Sequence, residues 1–336
     1  MKALFRVIRY SSVGVFLAGI FTTIVGCSTE DQIRALILFI LLLLSGGGGT
    51  DTESATAPES VSSIAWGNFV DNTITACAIG ASPCTTTTLA DNATTGVSQP
   101  RGVMVVGTTL YWVNDGDDTI RRCTIGATPC TSTTIADNAT SSVNGPFGMF
   151  VVGSTLYWVN NTDSTIRRCT IGAGACVSTV IADNGTSGVS NPFGMFVAGS
   201  TLYWVNNGDN TIRRCTIGAG ACASTVIADG ATSGVSNPLD VFVEGSTLYW
   251  SNIAGNTVRS CAIGAAPCTP IIVADNGTSG ADDPGGVFVE NGVLIWANTN
   301  GNTVRSCAVG AAPCTSILLA DNATSGANTP FFLWAY

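Results

Sequence analysis

Short apolar runs alternate with turn-forming polar clusters along most of the chain, and no helical stripe interrupts them beyond residue 60. Residues 100–145 show the pattern. Val103–Val106 is an apolar run (strand a), and Gly107–Thr109 turns the chain. Leu110–Val113 follows as strand b, with Leu110 and Trp112 on one face and Tyr111 and Val113 on the other, the period of two that a strand requires. Asn114–Asp118 has the residues of a hairpin turn, which tolerate left-handed backbone or cap themselves. Thr119–Ile125 is strand c, and Gly126–Pro129 turns again. Strand d, from about Cys130 to Ala136, is rich in threonine, as suits an outer, half-solvated strand. Asp137–Gly145 is then a polar loop leading to Pro146.

The whole phrase recurs every 46 residues. Its tryptophans are Trp66, Trp112, Trp158, Trp204, Trp250 and Trp296, and two cysteine series keep the same step. Four short antiparallel strands per unit form a propeller blade, and this period fits one. A linear stack of β-units is the rival, but it needs atypical polar end caps. The ends of the chain favour the ring. The first unit begins at strand b, with Ser63–Trp66, and lacks strand a. The last unit is followed by Pro330–Tyr336, which falls in the register of Pro192–Ala198 and so supplies a strand a, with Trp334 in the place of Phe196. The expected fold is all-β: a six-bladed propeller of four-stranded blades over residues 61–336, its ring closed by the C-terminal strand joining the first blade.

The N-terminus reads as an export signal. Lys2, Arg6 and Arg9 precede the mainly apolar stretch Val13–Val25, which ends in Gly26–Cys27. A small residue before a cysteine at this place resembles the bacterial lipobox. That resemblance implies a signal peptide over residues 1–26, lipid on Cys27, and the bacterial outer membrane or cell surface as destination, with the periplasm next. Residues 27–60 are then a tether. It includes a second apolar run, Ala35–Leu44, far below the roughly 20 residues of a spanning helix. This run could instead be the core of a signal peptide with a later translation start; both accounts export the rest.

Cys27 is the odd one of 13 cysteines. The other twelve pair naturally within blades across the c–d turn: Cys77 with Cys84, Cys123 with Cys130, Cys169 with Cys176, Cys215 with Cys222, Cys261 with Cys268 and Cys307 with Cys314. In an exported chain such pairs are disulfides. Zinc and redox motifs use closer spacings, which do not occur here, so no metal and no cofactor is expected.

Charge narrows the function. Charged residues are 10 % of the chain, the net charge is −9, the pI is near 4.3 and there is no histidine. An acidic chain without a basic stripe is no nucleic-acid binder. The lack of histidine removes the usual general base and the commonest metal ligand. Arg121, Arg167, Arg213, Arg259 and Arg305 share one repeat position, and Asp91, Asp137, Asp183, Asp229, Asp275 and Asp321 share another. The two series are expected to pair structurally at the blade edge.

The b–c and d–a loops of a propeller share one face. Here that face carries Asp71, Asp115, Asp117, Asp118, Asp163, Asp209, Asp282 and Asp283, together with two apolar residues of irregular turns, Phe69 and Ile253. It is the expected binding face. Its partner would be a protein, a carbohydrate or a peptidoglycan-associated ligand, and the acidity favours cationic groups.

The phrase Leu110–Asn114 followed by Thr119–Arg121 resembles the YWTD repeat of six-bladed extracellular propellers of the low-density-lipoprotein-receptor class, over residues 61–336. Tyr111–Trp112, Tyr157–Trp158, Tyr203–Trp204 and Tyr249–Trp250 match it. Asn68, Asn114, Asn160, Asn206, Asn252 and Asn298 stand where the motif has its aspartate, and Ala65–Trp66 and Ile295–Trp296 depart further. The cysteine pairs are not part of that pattern. The resemblance implies a propeller of the broad YWTD/NHL-like group, not receptor function. Some members of that group are enzymes with metal- or histidine-based sites, and this chain has no histidine to carry such a site. The leading reading is therefore a non-catalytic envelope binding or scaffolding lipoprotein. The alternatives are a carboxylate-based hydrolase or lyase at the central channel, with Asp282 and Asp283 as its acidic pair, and a structural surface protein.

Overall fold

A computed structural model describes residues 62–80, 82–126, 130–264 and 266–336. The expectations for residues 1–61, including lipidation of Cys27, lie outside the described residues. Six four-stranded antiparallel sheets are present, one per blade. The first consists of Pro330–Ala335, Ser63–Asn68, Thr73–Ala78 and Thr86–Asp91, in that order. Ala65 pairs with Trp334 and Trp66 with Leu333, so the last strand supplies the inner strand of the first blade and the ring is closed as expected. Tyr336 extends the junction: its carbonyl accepts from the Ser62 and Ser63 amides, and its own amide donates to the Ser63 carbonyl.

Alternation dictates the core. The six repeat tryptophans have no solvent exposure and lie between successive blades with Val, Ile and Leu of strands b, c and d. Burying one such side chain contributes about 2–3 kcal/mol, and its neighbours are fixed by the repeat. Strand boundaries shift slightly from expectation. In the second blade, strand a begins at Pro100, and its register slips between Pro100 and Val103, where the chain bulges. Strand d runs Ser132–Asp137 and not from Cys130, because the disulfide corner holds that cysteine outside the ladder.

The d–a loops differ more. Five of them carry a one-turn helix: Asn92–Thr95, Asn138–Ser141, Asn184–Ser187, Asn276–Ser279 and Asn322–Ser325. A four-residue helix is too short to leave a period in the sequence. The aspartate ending strand d caps it: the Asp137 carboxylate accepts from the Thr140 amide at 2.6 Å. This corrects the expected pairing of that aspartate with the strand-c arginine. The arginine instead braces the seam through a serine of its own blade. Arg167 donates to Ser178 Oγ at 2.9 Å, and Ser178 donates to the Ser141 carbonyl of the blade before.

The six disulfides form within blades, with Cα separations of 5.9–6.1 Å. They do more than close a hairpin. The second cysteine of each pair also donates its amide to strand d of the preceding blade, as Cys176 does to the Ile135 carbonyl at 3.0 Å. At the closing seam, Cys84 donates to the Leu319 carbonyl at 2.8 Å and accepts from Ser325 Oγ at 3.0 Å. Every seam thus uses the same corner. Disulfides on this scale belong to an oxidising compartment and indicate export. Among the described residues no helix is long and apolar enough to cross a membrane.

Candidate functional site

The axis of the ring is filled at mid-height. The fifth residue of each strand a points inward there: Met104, Phe150, Phe196, Phe242, Phe288 and Trp334. Neighbouring rings lie 4.6–5.2 Å apart from Phe150 round to Trp334, and Trp334 meets Phe150 at 5.7 Å past Met104. Beside this girdle lies a cavity of about 30 Å³. That space suits one or two waters, far below what a sugar ring occupies.

Two residues nearer the loops, the inner strands crowd together. A Cβ on Gly148 would stand 2.7 Å from the Phe193 carbonyl oxygen, and one on Gly286 would meet Leu333 and Phe332 backbone at 2.8 Å. Glycine is required at such an approach. The repeat obeys this at Gly102, Gly148, Gly194 and Gly286, but places Asp240 and Phe332 at the remaining two positions. Asp240 is buried and lines the cavity. Its carboxylate accepts from the Val287 amide at 3.0 Å, while its own amide donates to Ser251 Oγ. Ser251 in turn donates to the Gly285 carbonyl at 2.7 Å. This is a polar joint between the fifth and sixth blades where other blades carry Val, Ala or Gly at the Ser251 position. Burial pushes the Asp240 carboxyl up to about 7, although the Val287 and Val241 amides favour its charged form.

The acidic loop face has an aromatic centre. Arg101, the second residue of its strand a, packs over Phe69, Phe147 and Phe331 with its guanidinium carbon 4.0, 4.4 and 4.3 Å from their centroids. It pairs with Asp115 at 3.1 Å. Burial lowers its pKa, and the Asp115 charge and hydrogen bond oppose the shift. Phe193 continues the floor, 4.4 Å from Phe147 in an edge contact. All four phenylalanines are half-buried. Phe69 therefore owes its apolar character to packing on Arg101 and Phe331.

The other expected residues are distributed around this centre. Asp71, Asp117, Asp163 and Asp209 are exposed on the b–c turns. The last three accept from Thr119, Thr165 and Thr211 hydroxyls at 2.7 Å, closing their own turns. Asp117 and Asp209 also lie 3.9 Å from Arg121 and Arg213. Asp71 accepts from Asn328 at 2.8 Å. Asp118 is a latch: at φ 53°, its carboxylate accepts from the Gly145 amide in the following d–a loop. Asn72, Asn210, Asn256 and Asn302 hold the same place with an amide oxygen. Ile253 is half-buried in its turn. Asp282 is half-buried and faces the Asn300 amide group at 3.4 Å. Asp283 occupies a left-handed position at φ 49°, and its carboxyl is pushed up by burial and by the Asp282 charge.

The asparagine of the repeat phrase has a structural task. Asn206 accepts from the Ser190 amide and donates to the Gly188 carbonyl, tying the d–a loop to the b–c turn. Sequence reading missed Arg101, Phe147, Phe193, Phe331 and Asp240. A signal was present: Pro146–Phe150 and Pro192–Phe196 read Pro-Phe-Gly-Met-Phe, against which Pro100–Met104 reads Pro-Arg-Gly-Val-Met and Pro238–Phe242 reads Pro-Leu-Asp-Val-Phe.

No protein-family model matches the chain, and neither does any curated protein. Solved structures do. The chain is similar to a structure of a nidogen/laminin complex, at 13 % identity and a TM-score of 0.64, covering 81 % of this chain and 97 % of that one. It is also similar to a Bacteroides fragilis protein described as a 6-phosphogluconolactonase, at 13 % identity and TM-score 0.53, covering 82 % and 97 %. A Lactobacillus plantarum protein matches at 14 % and 0.52, over 77 % and 82 %. At such identities these likenesses show the propeller fold alone.

Proposed function

We propose that the chain is a non-catalytic binding module of the cell envelope, exported and held by lipid on Cys27, whose acidic loop face receives its partner. The observation that carries this reading is the centre of that face: a half-buried floor of Phe69, Phe147, Phe193 and Phe331 around Arg101, rimmed by exposed aspartates. An apolar centre inside a charged rim is the usual anatomy of a recognition surface. The partner it fits is a protein segment or envelope polymer with cationic groups. Catalysis at the axis has little support, since the cavity admits only water-sized molecules and Asp240 is its one titratable lining residue.

The test is capture from envelope extract by the wild-type chain and by a variant with Asp71, Asp163 and Asp209 changed to Asn. These carboxylates are exposed; Asp163 and Asp209 bond only within their own blades, and Asp71→Asn keeps an acceptor for Asn328. The reading expects a partner that is released by salt and lost from the variant. A partner held equally by both would refute it.

A further inference from the structure

The two faces of the ring differ in charge and in apolar exposure. Every aspartate from Asp71 onward, apart from the buried Asp240, lies at the loop end of its strand or in a loop of the acidic face. The opposite face, made of the a–b turns and the disulfide corners, has none. Exposed large hydrophobic residues follow the reverse rule. Among the described residues, Val106, Val152, Val177, Val293 and Tyr336 lie on the disulfide face, Ile271 and Ile317 stand on the rim three residues beyond their cysteines, and Val70 alone is on the acidic face. Val177, directly after Cys176, is 81 % exposed.

The same face carries an arc of cations. Arg122, Arg168 and Arg214 hold one repeat position in three consecutive blades, where the next two have Ser260 and Ser306. Arg122 and Arg168 each donate one bond to a turn carbonyl of the following blade, Gly172 and Gly218, at 2.9 and 2.7 Å. A guanidinium has five donors, so both retain others for a phosphate. The acids of this face, Glu244 and Glu290, stand in two of the three blades that lack the arginine; the third, the first blade, has Ala76 there. Finally, the chain enters the ring here: Ser62 lies against Tyr336 at this end of the first blade.

We propose that the disulfide face rests on the membrane that carries the lipid anchor, its valines at the headgroup level and the Arg122–Arg168–Arg214 arc on anionic headgroups, with the acidic face turned away. The proposal depends on the anchor reading. A bilayer surface is the occupant because the chain enters the ring on this face at Ser62, and because anionic lipid attracts the arginine arc and repels the aspartates.

Hydrogen exchange on the full processed lipoprotein tests this. It is measured in vesicles of phosphatidylethanolamine with phosphatidylglycerol and in neutral detergent, with flotation as the check on anchoring. Exchange over residues 106–109, 152–155 and 171–178 should slow several-fold on vesicles, while the b–c turn at 114–119 does not change. The protection should fall in Arg122→Gln/Arg168→Gln/Arg214→Gln. It should also fall in Val152→Ser/Val177→Ser, which leaves the arginine bonds intact. A chain that floats but exchanges equally in both media overturns the orientation while sparing the anchor. So does protection that appears without lipid and grows with protein concentration, which would assign the face to a second copy. A chain that does not float overturns the anchor and the proposal together.

Discussion

Asp240 shows how one residue changes the behaviour of a repeated structure. A carboxyl raised to about 7 is held neutral by burial, so the folded chain binds its proton more tightly than the unfolded chain does. Its contribution is full below the unfolded carboxyl pKa and is lost as pH rises through the folded value. The loss between about pH 4 and pH 8 is at most about 4 kcal/mol, from roughly three pKa units. Asp240→Asn keeps an acceptor for the Val287 amide without the charge. Urea unfolding at pH 5 and pH 8 should show the wild type losing more stability than this variant; equal losses would remove Asp240 as the source. Residues were the least legible scale in the sequence. The Asn of the repeat phrase, read only as a departure from a motif aspartate, is a buried loop tie at Asn206 and its equivalents. Asn206→Ala should cost about 1–3 kcal/mol in thermal or denaturant unfolding, the range for orphaning a buried partner. The Arg101 cage escaped notice because Phe69 and Phe331 lie far apart in sequence and meet only when the ring closes.

Strands b and c were the legible elements, because their two-residue period and the tight turns between them are local. The capped turn after strand d was not, since its signal is one aspartate and the amide of a threonine three residues later. Removing that cap in one blade, by Asp183→Ala, should lower stability by about 1 kcal/mol and leave the ring intact. The disulfide corner was legible as a pair but not as a seam. Its loop spans only a sequence separation of 7, so the chain-entropy effect is modest, about 2–3 kcal/mol. Yet the Cys176 amide and carbonyl are both held by the preceding blade. Cys169→Ser/Cys176→Ser should therefore loosen two blades together: amide exchange should rise in strand d of the second blade, Ser132–Asp137, as well as around residues 170–178. Exchange confined to the mutated corner would mean that the seam does not depend on the disulfide.

At the scale of the whole molecule, the ring was readable because its ends are complementary in register, and the faces were readable because loops of one kind share a side. What the sequence did not disclose was the filled axis, which depends on six residues from six blades converging. An axis closed by Phe150, Phe196, Phe242, Phe288 and Trp334 moves attention from the channel to the surfaces. Two faces of opposite character then suit a tethered module with one side to a membrane and the other to a partner. That view rests on export, oxidation and lipid at Cys27. Intact mass of the protein from its native membrane, before and after reduction, tests all three at once. The expected species begins at Cys27, carries two or three acyl chains, and gains twelve hydrogens on reduction, two for each of six disulfides. A chain that keeps its N-terminal residues, carries no lipid and has free thiols before reduction would contradict it.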